Sequence, residues 1–325
     1  MLHDYWTTGK ISGGGSLKKF IIENFPKKTL QPQANSQIWV RTNTFNPPPS
    51  SLELLNPDKL IENLYLVPRT PQITQFINKG KLIAQSKPSC MPVECLNFYK
   101  GNYNVIDTCA APGNKTLQLA EKIAKFSTGK VFAYEKDSKR YDLLRNRMKL
   151  FKAENVVARN IDFFDVEKFD NVQIGVVDPS CSGSGIIEHQ LADHGKLHNN
   201  TSYSDYRIKQ LSLFQQKILS KVLSIPTIKQ VVYSTCSVYE EENENVIKKV
   251  LKKYWRKFHL QKILKSWKQR GIGEYGDYMV RSVTSNQNTQ GFFVAKLQRR
   301  ALRLKHKLHK RTFLYWKTKR TATFI

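Results

Sequence analysis

Two cysteines stand in short loops built from small residues. Cys181 lies in DPSCSGSG and Cys236 in YSTCSVYEEENEN. Each loop follows a β-branched run, VQIGVVD before Cys181 and QVVYSTC at Cys236. Both thiols therefore belong on the same rim of a parallel sheet. Strands in a sheet lie about 4.8 Å apart, so Asp178, Cys181 and Cys236 can converge on one substrate ring. A lone cysteine in a core is usually inert. Glycine- and serine-rich strand ends are not core positions, so one of these thiols is expected to act as a covalent nucleophile. Asp178 is placed to hydrogen-bond or protonate the ring under attack.

The segment after Cys236 predicts how that thiol is activated. Ser237 and Glu240 have the spacing of a capping box, which would start a helix at about Tyr239 and aim its amides at the sulfur. Glu240, Glu241, Glu242 and Glu244 oppose that effect, and Lys115 is the candidate compensating cation.

A second site falls at the turn DTCAAPGNKT, after the first strand of the same domain. In an open parallel sheet this is where ligands bind. Ala110, Ala111 and Gly113 let backbone amides approach a ligand, and Pro112 fixes the bend before the next helix. The turn has neither the G-x-G-x-x-G of dinucleotide binders nor the G-K-[ST] of a phosphate loop, which points to a nucleoside cofactor without phosphates. Glu135, ending the next strand about 20 residues on, suits a ribose diol, and Asp162, ending the third, suits an adenine amino group. Singly, an acid at a strand end is more often a helix cap; with this turn, the pair fits adenosine. Methyl transfer from a sulfonium to carbon 5 of cytosine needs such a thiol beside such a cofactor, because that carbon is too weak a nucleophile unaided. Thiolate addition at carbon 6 makes carbon 5 enamine-like.

The elements that must position these groups follow in order. NVIDTCA, VFAYEKD, VVARNID, VQIGVVD and QVVYSTC are five strands. Helices are expected over TLQLAEKIAK, from Lys139 to about Ala153, from about Asp205 to Leu223, and from about Tyr239 to Trp255. GFFVAKL at 291 to 297 is a further strand. This alternation predicts a doubly wound α/β fold of Rossmann type. Residues 1–95, with a Gly-rich piece at Ser12 to Ser16 and a Pro-rich piece at Pro47 to Pro49, are expected to form a small auxiliary region. Residues 96–298 are the α/β domain, and 299–325 a basic tail.

The 325 residues carry 53 Lys+Arg against 26 Asp+Glu, a formal net charge of +27, which calls for a polyanionic partner. No acid follows Asp277, and Lys248 to Arg270 is a second acid-free basic stretch. Such a run is often only a solvated helix face; two of them shift the reading to nucleic acid. No apolar run suits a secretory signal or a membrane span, so the chain is expected in a reducing compartment. Its five cysteines lack the paired spacing of zinc sites, and no metal is expected.

DTCAAPGNKT, DPSCSGSG and YSTCSVYEEENENV together resemble the signature blocks of the nucleolar-protein/Sun family of RNA cytosine-carbon-5 methyltransferases, over about Asp4 to Leu297. DPSCSGSG with AAPGNKT is similar to the branch that modifies large-subunit ribosomal RNA. The resemblance implies a class I methyltransferase domain holding S-adenosylmethionine through Cys109, Ala110, Ala111, Pro112, Gly113, Asn114 and Lys115, with Glu135, Arg140, Asp162 and Asp178 completing the pocket. It also implies that Cys236 attacks the base while Cys181 assists product release. The expected setting is a monomer acting on rRNA or pre-ribosomal particles in the nucleolus, away from membranes. RSVTSNQNTQ lacks a proline that many members have there, and the N-terminal region is short for this branch, so part of an RNA-binding surface is expected to be absent or encoded differently. A transfer-RNA methyltransferase and a ribosome-assembly factor with little turnover stay open as alternatives. A DNA methyltransferase is disfavoured by the separate TCS cysteine.

Overall fold

The computed structural model describes residues 37–54, 56–186, 205–283 and 289–301. The Gly-rich piece at Ser12 to Ser16, most of the basic tail and part of RSVTSNQNTQ lie outside the described residues.

Three strands, β1 (Gln37–Thr42), β2 (Leu64–Pro68) and β3 (Leu82–Ala84), form an antiparallel sheet in the order β2-β1-β3, with helix α1 (Pro71–Asn78) between β2 and β3. Thr70 caps α1 by accepting from the Ile73 amide at 3.2 Å, and Pro71 opens the helix where no amide is needed. Val40, Val67, Ile73 and Leu82 make the small core of this unit. Helix α2 (Lys87–Glu94) leads out of it.

The larger sheet contains β4 (Asn104–Asp107), β5 (Val131–Glu135), β6 (Val156–Asn160), β7 (Val172–Val177), β8 (Gln230–Thr235), β10 (Val280–Ser282) and β11 (Phe292–Arg299), in the order β10-β11-β8-β7-β4-β5-β6. The short strand β9 (Phe258–Leu260) pairs with β11. Pairings among β4 to β8 are parallel, while β11 runs antiparallel to β8. Order reverses at β4, which lies between β5 and β7, so a crevice opens beyond its carboxyl end.

Alternate residues of these strands feed two cores. Val105, Val176 and Val232 pack with α2, α3 (Asn114–Phe126) and α4 (Ser138–Leu150). Their neighbours Ile106, Val177, Val231 and Tyr233 pack with α5 (Asp205–Ser224) and α6 (Glu244–Tyr254). A sheet covered on both faces explains why its strands are almost uninterrupted apolar runs. The first core also takes in Ile61, Leu64 and Ile83, so the N-terminal sheet is continuous with it. Buried Arg41 pairs with Glu121 of α3 across that join. Among the described residues, no helix is long and apolar enough to cross a membrane.

Two expectations need correction. The helix expected from Tyr239 is a 3-10 turn, Glu240–Glu242, followed by α6 from Glu244. Asn243 breaks it at φ −113°, ψ −103°, because its side chain is tied to Thr235 and to the Ser237 carbonyl. The capping box does not form either. Ser237 Oγ is engaged by the Ser182 and Ser184 hydroxyls and by the Tyr239 amide. The first turn of a true helix therefore starts well beyond Cys236.

Candidate functional site

The turn after β4 is held from both sides. Its Ala110 amide donates to Tyr134 O at 2.9 Å, and Arg140 donates to Ala111 O at 2.7 Å. Gly113 adopts φ +104°, and a Cβ there would meet Met148 Cε at 2.8 Å and Leu144 Cδ1 at 2.9 Å. Only glycine fits this corner without strain. The turn lines a cleft of about 200 Å³ that also contains Asp107, Lys115, Asp178, Cys181 and Cys236.

Buried acids at the strand ends keep unspent hydrogen-bonding capacity. Asp107, 1% exposed, accepts from the Thr116 hydroxyl at 2.7 Å through Oδ2, and its Oδ1 has no donor. Burial, opposed by that Thr116 bond, pushes its carboxyl up to about 6. Glu135, 4% exposed, accepts the Asp137 amide at 3.1 Å through Oε1. Its Oε2 has no hydrogen-bond donor, the Arg140 guanidinium standing 3.4 Å away.

Lys115 joins the turn to the thiol loops. Its Nζ lies 2.7 Å from Asp178 Oδ2, 3.2 Å from Ser89 Oγ, and 5.4 Å from the Phe292 ring centre. Burial alone would lower its pKa, but the Asp178 carboxylate, with smaller contributions from Asp107 and Cys236, holds it above the usual lysine value. Asp178 Oδ1 accepts from the Ser234 hydroxyl at 2.6 Å.

The sulfur atoms of Cys181 and Cys236 are 3.2 Å apart. The bond to Cys236, burial and the nearby Glu242 carboxylate hold the Cys181 thiol well above its ordinary value. Burial pushes Cys90, Cys95 and Cys109 up to about 12. Those three stay thiols at neutral pH, as does Cys181, and the rim pair is set apart by the closeness of its two sulfurs.

The family described as 16S rRNA methyltransferase RsmB/F matches residues 94–298. The chain belongs to that family. The 25S rRNA (cytosine-C(5))-methyltransferase rcm1 of Schizosaccharomyces pombe is 39% identical over 268 residues, covering 76% of this chain and 57% of that protein. A 28S rRNA (cytosine-C(5))-methyltransferase of Mus musculus is 34% identical over 250 residues, covering 74% and 52%. The chain thus spans about half the length of these relatives. A methyltransferase homolog from Pyrococcus horikoshii shares the fold, with TM-score 0.63, 21% identity, and coverage of 89% of this chain and 96% of that one.

In this RsmB/F-family chain the cleft gathers Cys109, Ala110, Ala111, Pro112, Asn114, Lys115, Asp178, Cys181 and Cys236 from the residues expected by sequence. Gly113, Glu135, Arg140 and Asp162 stand outside its lining. Asp162 falls two residues past β6, where it caps a short turn by accepting the Phe164 amide at 3.0 Å. The lining also includes Asp107, Ser89, Gln290 and Phe292. Asp107 was visible as the acid ending the first strand of DTCAAPG, whereas Phe292 arrives through the antiparallel β11, a pairing with no local signal. Some of the basic C-terminal residues serve the fold. Arg281 forms a buried pair with Glu244 at 2.6 Å, Lys296 is 1% exposed, and Arg299 donates to Ile225 O and Ile228 O.

Proposed function

We propose that this chain methylates carbon 5 of a cytosine in large-subunit ribosomal RNA, with Cys236 as nucleophile and S-adenosylmethionine as methyl donor. The observation that carries the reading is the pair of sulfurs 3.2 Å apart in one cleft with the small-residue turn and the Lys115–Asp178 pair. The Glu135 Oε2, which has no hydrogen-bond donor, and the absence of a phosphate loop suit an adenosine whose ribose hydroxyls donate to a carboxylate. Backbone from Cys109 to Gly113, with Asn114, Lys115, Glu135, Arg140, Asp162 and Asp178, would hold that cofactor. When bound, it supplies an electrophilic methyl group to carbon 5.

The chain's own groups do the rest. The Cys236 thiolate adds to carbon 6, forming a carbon–sulfur bond and sending the electron pair toward carbon 5, while nitrogen 3 takes a hydrogen bond or proton from the Asp178 side of the cleft. Lys115 supplies the positive charge that the absent helix terminus does not. After methylation the carbon 5 proton passes to a base, the ring double bond re-forms, and the carbon–sulfur bond breaks to return the Cys236 thiolate. Cys181, its sulfur 3.2 Å from that of Cys236, is placed to assist this release.

The named relatives are eukaryotic rRNA methyltransferases, which supports rRNA as target, pre-ribosomal particles as its form, and the nucleolus as the place of action. The test is to map 5-methylcytosine across total RNA from cells carrying wild-type protein or Cys236→Ala. Loss at one large-subunit rRNA cytosine is expected. Loss confined to transfer RNA would overturn the substrate, and no loss anywhere would overturn the enzymatic reading.

A further inference from the structure

Behind the two sulfurs lies a polar brace that the chemistry above does not use. Glu242, in the 3-10 turn, is 0% exposed and has no cation partner among the described residues. Its Oε1 accepts from the Ser182 amide at 2.9 Å and from Gln215 Nε2 at 2.9 Å, with Oε2 3.3 Å from the same amide. Gln215 Nε2 also donates to Ser180 O at 3.1 Å. The backbone on both sides of Cys181 is thus held, Ser180 by Gln215 and Ser182 by Glu242. The brace reaches the other thiol as well: Ser182 Oγ is 3.1 Å from Ser237 Oγ, and the Gly185 amide donates to Cys236 O at 3.0 Å.

We propose that Glu242 is the positioning residue for Cys181, its buried carboxylate gripping the Ser182 amide and so fixing the Cys181 sulfur against Cys236. A buried carboxylate without a counter-ion is costly, and two donors converging on it are what make it tolerable. A glutamine with its oxygen at the Oε1 position would keep both bonds but set its amide nitrogen 3.3 Å from the Ser182 N–H, donor against donor, and would remove the charge. The carboxylate also adds negative charge beside Cys181, favouring its protonated form. The other titratable groups around this sulfur are Cys236, Tyr233 and, in the same cleft, Lys115, Asp178, Asp107 and Cys109.

The consequence for product release rests on the function proposed above; the positioning itself does not. The test uses the full chain as wild type, Glu242→Gln, Glu242→Ala and Cys181→Ala. Iodoacetamide labelling of Cys181 and Cys236 is followed against pH by mass spectrometry, and covalent retention of ribosomal RNA is read on denaturing gels. In Glu242→Gln the pH midpoint for Cys181 labelling is expected to fall by about one pH unit while that of Cys236 stays put. RNA retained on Glu242→Gln should rise about tenfold, as on Cys181→Ala. A folded Glu242→Gln whose Cys181 midpoint matches wild type would overturn the proposal, as would a Glu242→Ala that fails to fold beside a Glu242→Gln indistinguishable from wild type. If Cys181→Ala retains no RNA, the product-release role falls, and the labelling midpoint still decides the role of Glu242.

Discussion

On the β4–β5 side of the cleft, two buried carboxylate oxygens, Asp107 Oδ1 and Glu135 Oε2, have no donor. On the β7–β8 side, Ser182, Ser184, Ser237, Thr235, Asn243 and the Glu242 carboxylate all bond to one another or to backbone, and Gln215 Oε1 is the atom left over. Buried polar groups are normally paired, so acceptors left open at the strand ends, Asp107 in the cleft lining and Glu135 just outside it, are capacity held for something else. A region that must receive a removable molecule keeps its acceptors free. A region that must hold two sulfurs in register spends nearly all its bonds on itself. Lys115, anchored on α3 and paired with Asp178 beyond β7, is the charged bridge between the two sides among the described residues.

The bridge is where the largest effect is expected. Lys115→Met strands the Asp178 carboxylate and removes the cation facing Cys236, so single-turnover methyl transfer should fall on the order of a thousandfold. A rate within tenfold of wild type would mean that the two sides work independently.

Next in size is a pH effect on the open side. In the unfolded chain Asp107 titrates near the ordinary aspartate value of about 3.9, and folding raises it to about 6. The folded state therefore binds the proton more tightly. Its contribution to stability is complete below the lower value and is lost as pH rises through the upper one. Relative to Asp107→Asn, wild-type stability should drop by about 2 kcal/mol between pH 4 and pH 7, measured by urea unfolding. Parallel stability profiles would show that the Asp107 oxygen has a partner or reaches water.

Glu135→Gln sharpens the same side. It replaces an open charged acceptor with a neutral one, so S-adenosylmethionine affinity by calorimetry should weaken about ten- to hundredfold while the free protein keeps its melting temperature. Weakening of the free protein instead would make Glu135 a structural acid.

How far the sequence foretold this contrast follows from the range of the interactions. The strand ends carrying Glu135, Asp178, Cys181 and Cys236 were legible, because β-branched runs and small-residue turns are local signals. The doubly wound α/β class could be anticipated from βαβ alternation, whereas the antiparallel place of β11 could not. The brace could not, since Gln215, Glu242 and Ser182 come from a helix, a 3-10 turn and a loop far apart in the chain. Ser237 and Glu240 misled for the same reason: their spacing was right for a capping box, but Ser182 and Ser184 claimed the Ser237 hydroxyl across the fold. Among the basic residues, charge was legible from composition but placement was not, as the buried Lys296 and the Arg281–Glu244 pair show.

The finest test uses two glycines with positive φ, one on each side. Gly113, at φ +104°, has Leu144 and Met148 within 3 Å of where a Cβ would sit, while Gly183, at φ +73°, has nothing within 4 Å. Alanine at Gly183 should cost only the backbone strain, about 1 kcal/mol. Alanine at Gly113 adds overpacking against two helix α4 side chains, for about 2 kcal/mol in melting experiments. The functional difference should run the same way, since Gly113 shapes the turn that receives the cofactor and Gly183 lies two residues past a sulfur held from both flanks by Gln215 and Glu242. If Gly183→Ala instead proves the more damaging to methyl transfer at equal stability, the brace does not fix Cys181, and the conformation of the loop beyond it does.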